Sequence, residues 1–175
     1  MGTDYKIYNA DHFLTLQHDL GEGPLWQPET QRLHWVNIEA GEVHSCTAAG
    51  TDRTVKKMPT AVGALAFRKA GGFLLATGDG FAAWDGNNEM ALFPKPEGGF
   101  SGRRFNDGRV DPQGRFFAGT LSDKPECALY QLDAVLSIHT VETGITISNG
   151  LGWSPDGSYF YLTDSPKRVI YRYDW

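Results

Sequence analysis

The sequence predicts an all-β protein, a β-propeller with about four blade units, and three observations lead to this prediction. Short apolar runs stand at even spacing along the 175 residues, Gly and Pro recur between them as turn formers, and one pattern of strands repeats. Hydrophobic residues make up 41% of the chain, which is typical of a globular domain with a core. We therefore expect residues 1–175 to form a single domain, a partial propeller.

The repeat consists of an apolar strand, a tight turn and a second apolar strand. The four strand pairs are 24–26 with 33–36, 65–67 with 73–77, 109–111 with 116–120, and 151–153 with 159–163. Equivalent turn positions are Pro28, Lys69, Pro112 and Pro155, in steps of 41, 43 and 43 residues. A further strand follows each pair, at 43–46, 81–84, 128–132 and 169–173. Several strands within a period of about 40 residues predict propeller blades.

Two other fold classes fit the sequence less well. A β-sandwich also has short strands, but its strands need not repeat as units. A helical repeat is excluded because no stretch carries apolar residues at helical spacing over three turns. We expect helix only as a short turn near residues 133–136.

Composition and charge limit the partners. The formal net charge of -5 disfavours nucleic acid and anionic membrane as partners, and no apolar run has transmembrane length.

Residues 1–21 lack the basic start and apolar stretch of a signal peptide. Cys46 and Cys127 lie far apart without metal-ligand spacing, which favours free thiols in a cytoplasmic protein.

Acid and amide residues followed by Gly precede three of the four units. Glu22 precedes the first unit, Asn106 and Asp107 the third, and Asn149 the fourth, whereas the second begins with Ala61-Val62-Gly63 and offers no ligand. Because innermost strands of a propeller line a central channel, these side chains would converge there. Their oxygen atoms suit Ca²⁺, Mg²⁺ or Mn²⁺. Asn-Gly and Asn-Asp-Gly are also common turn formers, so turn chemistry remains an alternative.

The same segments resemble a known family. Residues 21–26 (GEGPLW), 104–115 (RFNDGRVDPQGR), 118–120 (AGT) and 147–157 (ISNGLGWSPDG) are similar to the gluconolactonase, regucalcin (senescence marker protein) and luciferin-regenerating enzyme family. The resemblance implies a propeller of the six-bladed type with one central divalent metal ion (Ca, Zn, Mn or Mg). It also implies a hydrolase that opens sugar lactones, in which the metal polarises the lactone carbonyl and positions or activates water.

The resemblance also implies roles for individual residues. Glu22 and Asn149 would be metal ligands, and Arg104 and Asn106 would contact the sugar lactone. Regucalcin-like members carry a sugar-binding acid after the Ala-Gly-Thr motif, at the position where we place Lys124; Asp123 would substitute for it.

The family pattern extends further than this sequence. Six units would need about 250 residues, and the family's catalytic aspartate is expected beyond Trp175. The resemblance places Tyr5–Leu16 as an outer strand of the last blade. Open sheet edges would then favour self-association. Two alternatives to the lactonase follow: a calcium-binding, regucalcin-like propeller without catalysis, and a truncated chain that is inactive on its own.

Overall fold

The computed structural model describes residues 6–96 and 98–175, and within them it contains four antiparallel sheets. The first sheet consists of β1 (Gly21–Gln27), β2 (Arg32–Asn37), β3 (Glu42–Thr47) and β4 (Thr54–Lys57). The second consists of β5 (Val62–Phe67), β6 (Phe73–Thr77), β7 (Phe81–Trp84) and β8 (Met90–Leu92). The third consists of β9 (Arg104–Val110), β10 (Phe116–Leu121), β11 (Cys127–Leu132) and β12 (Ile138–Ile145). The fourth consists of β13 (Ser148–Trp153), β14 (Tyr159–Asp164) and β15 (Val169–Asp174).

Each sheet is a meander in which strands pair in sequence order. The first strand of each sheet lies innermost, so that β5 contacts β1 and β9, and β9 contacts β13. The sheets are therefore blades around a common axis, and the predicted propeller with four blade units is confirmed.

Apolar side chains fill the spaces between neighbouring blades. Phe81 of the second blade packs on Phe105 and Phe116 of the third, with ring centroids 4.6 Å and 5.7 Å away. All three rings are almost completely buried. Two further clusters join the first blade to the second and the third to the fourth. Because buried aromatic rings contribute a large share of core energy, these contacts hold the innermost strands in a fixed arrangement.

Close approach of the innermost strands requires glycine at one position. A Cβ atom at Gly63 of β5 would overlap the backbone carbonyls of Phe105 and Asn106 in β9. At this position the second blade therefore has no side chain near the axis, whereas the other blades have polar side chains there.

The observed strands extend the predicted ones. Each innermost strand begins three to five residues earlier than predicted, so the polar residues lie within strands β1, β9 and β13. The outer strands β4, β8 and β12 were not predicted. Strands β4 and β12 are largely exposed and lack a continuous apolar run, and β8 has only three residues.

The expected helical turn near residues 133–136 was wrong. This segment is the hairpin turn between β11 and β12, in which the Asp133 carboxylate accepts hydrogen bonds from the Val135 and Ser137 amides. Leu136 takes a φ of 65° there. The carboxylate offers the backbone amides an alternative to helical hydrogen bonds, so the chain reverses instead of coiling.

The outer strand that the resemblance implied for the N-terminal segment stays a prediction, because the last blade, with which it would pair, is expected beyond Trp175. Tyr5 lies outside the described residues, and residues 6–16 form no strand. Their backbone makes no hydrogen bond with any described part of the chain. Cys46 and Cys127 are buried free thiols, as predicted. No helix among the described residues is long and apolar enough to span a membrane.

Candidate active site

Residues of the four innermost strands line a partly open cavity of about 260 Å³ at the axis. Its polar lining consists of Glu22, Arg104, Asn106, Asp107 and Asn149. These residues come from the first, third and fourth blades, and Gly63 of the second blade also lines the cavity. The predicted convergence of polar residues at the axis is therefore observed.

Every innermost strand carries a bulge beside this cavity. The pairing register shifts at Gly23 and Pro24 in β1, at Gly63 in β5, at Asn106 in β9 and at Gly150 in β13. Bulges often lie next to active sites, where they change the direction of a side chain. The Asn-Gly sequence at 149–150 thus lies at a bulge inside a strand, and Gly150 takes there the left-handed backbone conformation on which the turn alternative was based.

Arg104 lies at the edge of the cavity with its guanidinium already paired. One nitrogen, Nη1, donates to the Asn106 Oδ1 at 3.1 Å, and Nη2 donates to the Glu39 Oε1 at 2.7 Å. The Arg104 side chain is 12% exposed, whereas that of Glu39 is 55% exposed. The positive charge at the cavity is therefore balanced by a carboxylate from the turn between β2 and β3.

Asn106 and Asp107 join the third blade to the fourth. The Asn106 amide donates to the carbonyl oxygen of Ser148 at 2.9 Å. The Asp107 carboxylate accepts from the amide of Gly150 at 2.8 Å and from that of Gly108 at 2.8 Å. These bonds fix backbone groups on either side of Asn149.

Glu22 and Asn149 offer oxygen atoms with no other partner among the described residues. The Glu22 carboxylate accepts no hydrogen bond in this part of the chain, and the Asn149 side chain uses only its nitrogen, which donates to the Ser165 Oγ at 3.2 Å. Carboxylate and amide oxygens that are free at one cavity are the ligand atoms that a hard cation prefers. No group of three or more His, Cys, Asp or Glu side chains within the described residues could hold a metal.

Asp123 is not brought to the cavity. Its side chain is 73% exposed and pairs with Arg103, which is itself 65% exposed. Neither Asp123 nor the neighbouring Lys124 lines the cavity. The role of Asp123 in substrate binding stays a prediction.

Two residues of the site were not identified as site residues from the sequence. Asp107 stands within the Arg-Phe-Asn-Asp-Gly motif and was noted only as an acid at the start of a unit, so its motif was the available signal. Glu39 lies 65 residues before Arg104 in an exposed turn, and no local pattern points to it.

The fold and the cavity together define a propeller with a polar site at its axis. The family described as "SMP-30/Gluconolactonase/LRE-like region" matches residues 20–175, and the chain belongs to this family. It is 36% identical to a 6-deoxy-6-sulfogluconolactonase of Pseudomonas putida over 88% of this chain and 54% of the relative. It is 33% identical to a pentonolactonase of Haloferax volcanii over 88% of this chain and 53% of the relative.

A solved structure shows the same architecture. A calcium-binding protein, regucalcin, from Agrobacterium tumefaciens superposes with a TM-score of 0.83 and 29% identity, covering 90% of this chain and 55% of that one. The chain thus spans about half the length of the curated relatives and the solved structure that it matches.

Proposed function

We propose that the axial cavity is the active site of a divalent-metal-dependent hydrolase that opens sugar lactones. The observation that carries this proposal is the convergence of Glu22, Arg104, Asn106 and Asn149 on one cavity. Relatives named as lactonases, at 36% and 33% identity, support the reaction class.

Glu22 and Asn149 would hold the metal ion. Both residues would coordinate the ion through oxygen atoms only. Oxygen ligands suit Ca²⁺, Mg²⁺ or Mn²⁺ better than Zn²⁺, since structural and catalytic zinc sites are rich in His and Cys. A bound divalent cation supplies a Lewis acid for the lactone carbonyl and lowers the pKa of bound water.

Arg104 and Asn106 would orient the substrate. The Arg104 guanidinium has donors that can bind sugar hydroxyls, and its contacts with Glu39 and Asn106 hold it in one orientation at the cavity edge. The cavity of about 260 Å³ is slightly smaller than the range of about 300–1,000 Å³ that is usual for drug-sized ligands. A monosaccharide lactone is the size of partner that this volume favours.

Hydrolysis of glucono-δ-lactone by this chain tests the proposal. We expect metal-dependent proton release above the spontaneous rate with added Ca²⁺, Mn²⁺ or Mg²⁺, and its loss with a chelator. The Asn149→Ala variant should lose this turnover, because it removes a metal-ligand oxygen. The Asn88→Ala variant, which alters an exposed asparagine of the second blade, is the matched control and should keep it.

Two outcomes would contradict the proposal. Equal turnover by Asn149→Ala and the unchanged chain would exclude Asn149 from the site. Metal binding without any turnover, in a sample with a folded circular dichroism spectrum, would instead support one of the two alternatives, a calcium-binding propeller without catalysis or a truncated chain that is inactive on its own.

A further inference from the structure

Asn149 is held from both sides by two consecutive side chains of the neighbouring blade. The Asn106 amide nitrogen donates to the carbonyl oxygen of Ser148, the residue before Asn149. The Asp107 carboxylate accepts from the amide of Gly150, the residue after it. The two bonds measure 2.9 Å and 2.8 Å, so both are well-formed hydrogen bonds.

The bulge in β13 explains why this support is needed. Asn149 pairs with Thr163 and Leu151 with Leu162, so Gly150 is the extra residue and takes no place in the ladder with β14. Its φ of 51° is the left-handed conformation that glycine adopts without strain. The amide of an unpaired bulge residue is free to turn unless another group binds it, and here the Asp107 carboxylate binds it.

The contacts of Asp107 point to support of the fourth blade's backbone, and Asn106 shares in this support in addition to its proposed part in orienting the substrate. Both Asp107 oxygens already accept backbone amides, from Gly108 and Gly150. Both polar atoms of the Asn106 side chain are also engaged, its oxygen with Arg104 and its nitrogen with Ser148.

We infer that Asp107 is a positioning residue which, together with Asn106, fixes the orientation of Asn149 towards the axial cavity. The inference rests on the proposed function for the part that concerns metal binding by Asn149. Residues that orient a metal ligand through hydrogen bonds commonly change metal affinity by about 10–100-fold when they are removed. Asp107 would therefore act on the metal through Asn149 and not by its own charge.

Calorimetric titration with Mn²⁺ tests this route. We expect Asp107→Ala to raise the Kd for Mn²⁺ about tenfold in the otherwise unchanged chain and to cause no further rise when Asn149→Ala is already present. Asp107→Asn should recover part of the loss, because it keeps one acceptor oxygen for the Gly150 amide. A similar rise in both backgrounds would overturn the inference, since the carboxylate would then act on the metal directly.

Hydrogen exchange at the Gly150 amide gives a second readout that needs no metal. We expect Asp107→Ala to speed this exchange about tenfold, with amides of the first blade unchanged. The exposed control Asp174→Ala should leave the exchange as it is. If Asn149→Ala leaves the Kd for Mn²⁺ unchanged, the proposed ligand role fails, and exchange alone decides whether Asp107 holds the bulge. Unchanged exchange in Asp107→Ala, or in Asp107→Leu should the alanine variant not fold, would overturn the inference, because neither side chain can accept the Gly150 amide.

Discussion

At the scale of single residues, Arg104 is neutralised within the protein before any substrate arrives. Its guanidinium donates to Glu39 at 2.7 Å, and Glu39 comes from a different blade. A cavity with a paired arginine attracts an anionic group less strongly than one with a free arginine, because the Glu39 carboxylate already supplies the negative charge. We therefore predict that, at the proposed active site, the pair favours uncharged sugar lactones over lactones that carry a carboxylate.

The Glu39→Gln variant tests this preference. The change keeps the shape of the side chain but removes its charge, so we expect kcat/KM for glucaro-1,4-lactone to rise about fivefold relative to glucono-δ-lactone, or about 1 kcal/mol, the upper end for exposed ion pairs. Steady-state rates on both lactones give the ratio, and Glu29→Gln in an exposed turn is the control. An equal change on both substrates would show that Glu39 does not select by charge.

The sequence predicted the residues of the site better than their contacts. Glu22, Arg104, Asn106 and Asn149 could be found because each stands in a short motif near the start of a repeating unit. The Glu39 contact with Arg104 could not, because it depends on how two blades pack. For the same reason, the sequence could not show that both polar atoms of Asn106 are engaged.

At the scale of strands and turns, aspartates organise several hairpins in the same way. Asp85, Asp111 and Asp133 each end a strand or follow it directly, and each carboxylate accepts the amides two and four residues further on. Of these three turns the sequence predicted only the one after Asp111, at residues 112–114, where Pro and Gly mark it. The segment after Asp133 was expected to be helical, and the turn after Asp85 was not predicted. The positions of the outer strands β4 and β8 could not be predicted either, because β4 is mostly polar and β8 has only three residues.

Asp164 serves a different purpose, because it connects two blades. It ends β14, and its fully buried carboxylate accepts the amides of Thr146 at 3.0 Å and Ile147 at 3.2 Å, in the segment that leads from the third blade into β13. Lys167 lies 3.1 Å from the same carboxylate. Burial alone would raise the pKa of Asp164, but these bonds together outweigh it and hold the pKa below its ordinary value.

The Asp164→Asn variant should lose stability in a pH-dependent manner. We expect the free energy of unfolding to fall by about 3 kcal/mol at pH 7. Hydrogen bonds to a charged group contribute about 1.5–3 kcal/mol each, and the Asn amide can replace only part of them. The pKa of Asp164 is lower in the folded than in the unfolded protein. The stabilisation that its carboxylate gives to the folded state is therefore complete above the unfolded pKa of about 3.9, and it is lost as the pH falls through the folded pKa. The difference in free energy of unfolding between the variant and the unchanged chain, here called the deficit, should therefore become smaller in acid.

Urea unfolding at pH 7 and at pH 2.5 measures this deficit. The control Asp174→Asn alters an exposed carboxylate and should change the free energy of unfolding by less than about 0.5 kcal/mol at either pH. A deficit of the same size at both pH values would contradict the assignment to the ionised carboxylate.

At the scale of the whole molecule, the core formed by the described residues consists of three apolar clusters, each between consecutive blades. The first and fourth blades are joined through this sequence of contacts and face each other across the axial cavity. The two proposed metal ligands, Glu22 and Asn149, belong to these two blades. A cation bound by both would therefore add a direct link between parts of the molecule that the apolar core connects only through the blades between them.

Metal binding should therefore raise the melting temperature of the whole molecule. A ligand that binds only the folded state at 100 times its Kd stabilises it by about 2.7 kcal/mol. At roughly 2–4 °C per kcal/mol for a domain of this size, the expected rise is about 5–10 °C, measured by differential scanning calorimetry with and without Ca²⁺ or Mn²⁺. Glu22→Gln should abolish most of the rise because it removes the charged ligand, while Glu29→Gln, in an exposed turn of the same blade, should retain it. A full rise in the Glu22→Gln variant would place the stabilising metal outside the axial cavity, and the link between the first and fourth blades would then have to be abandoned.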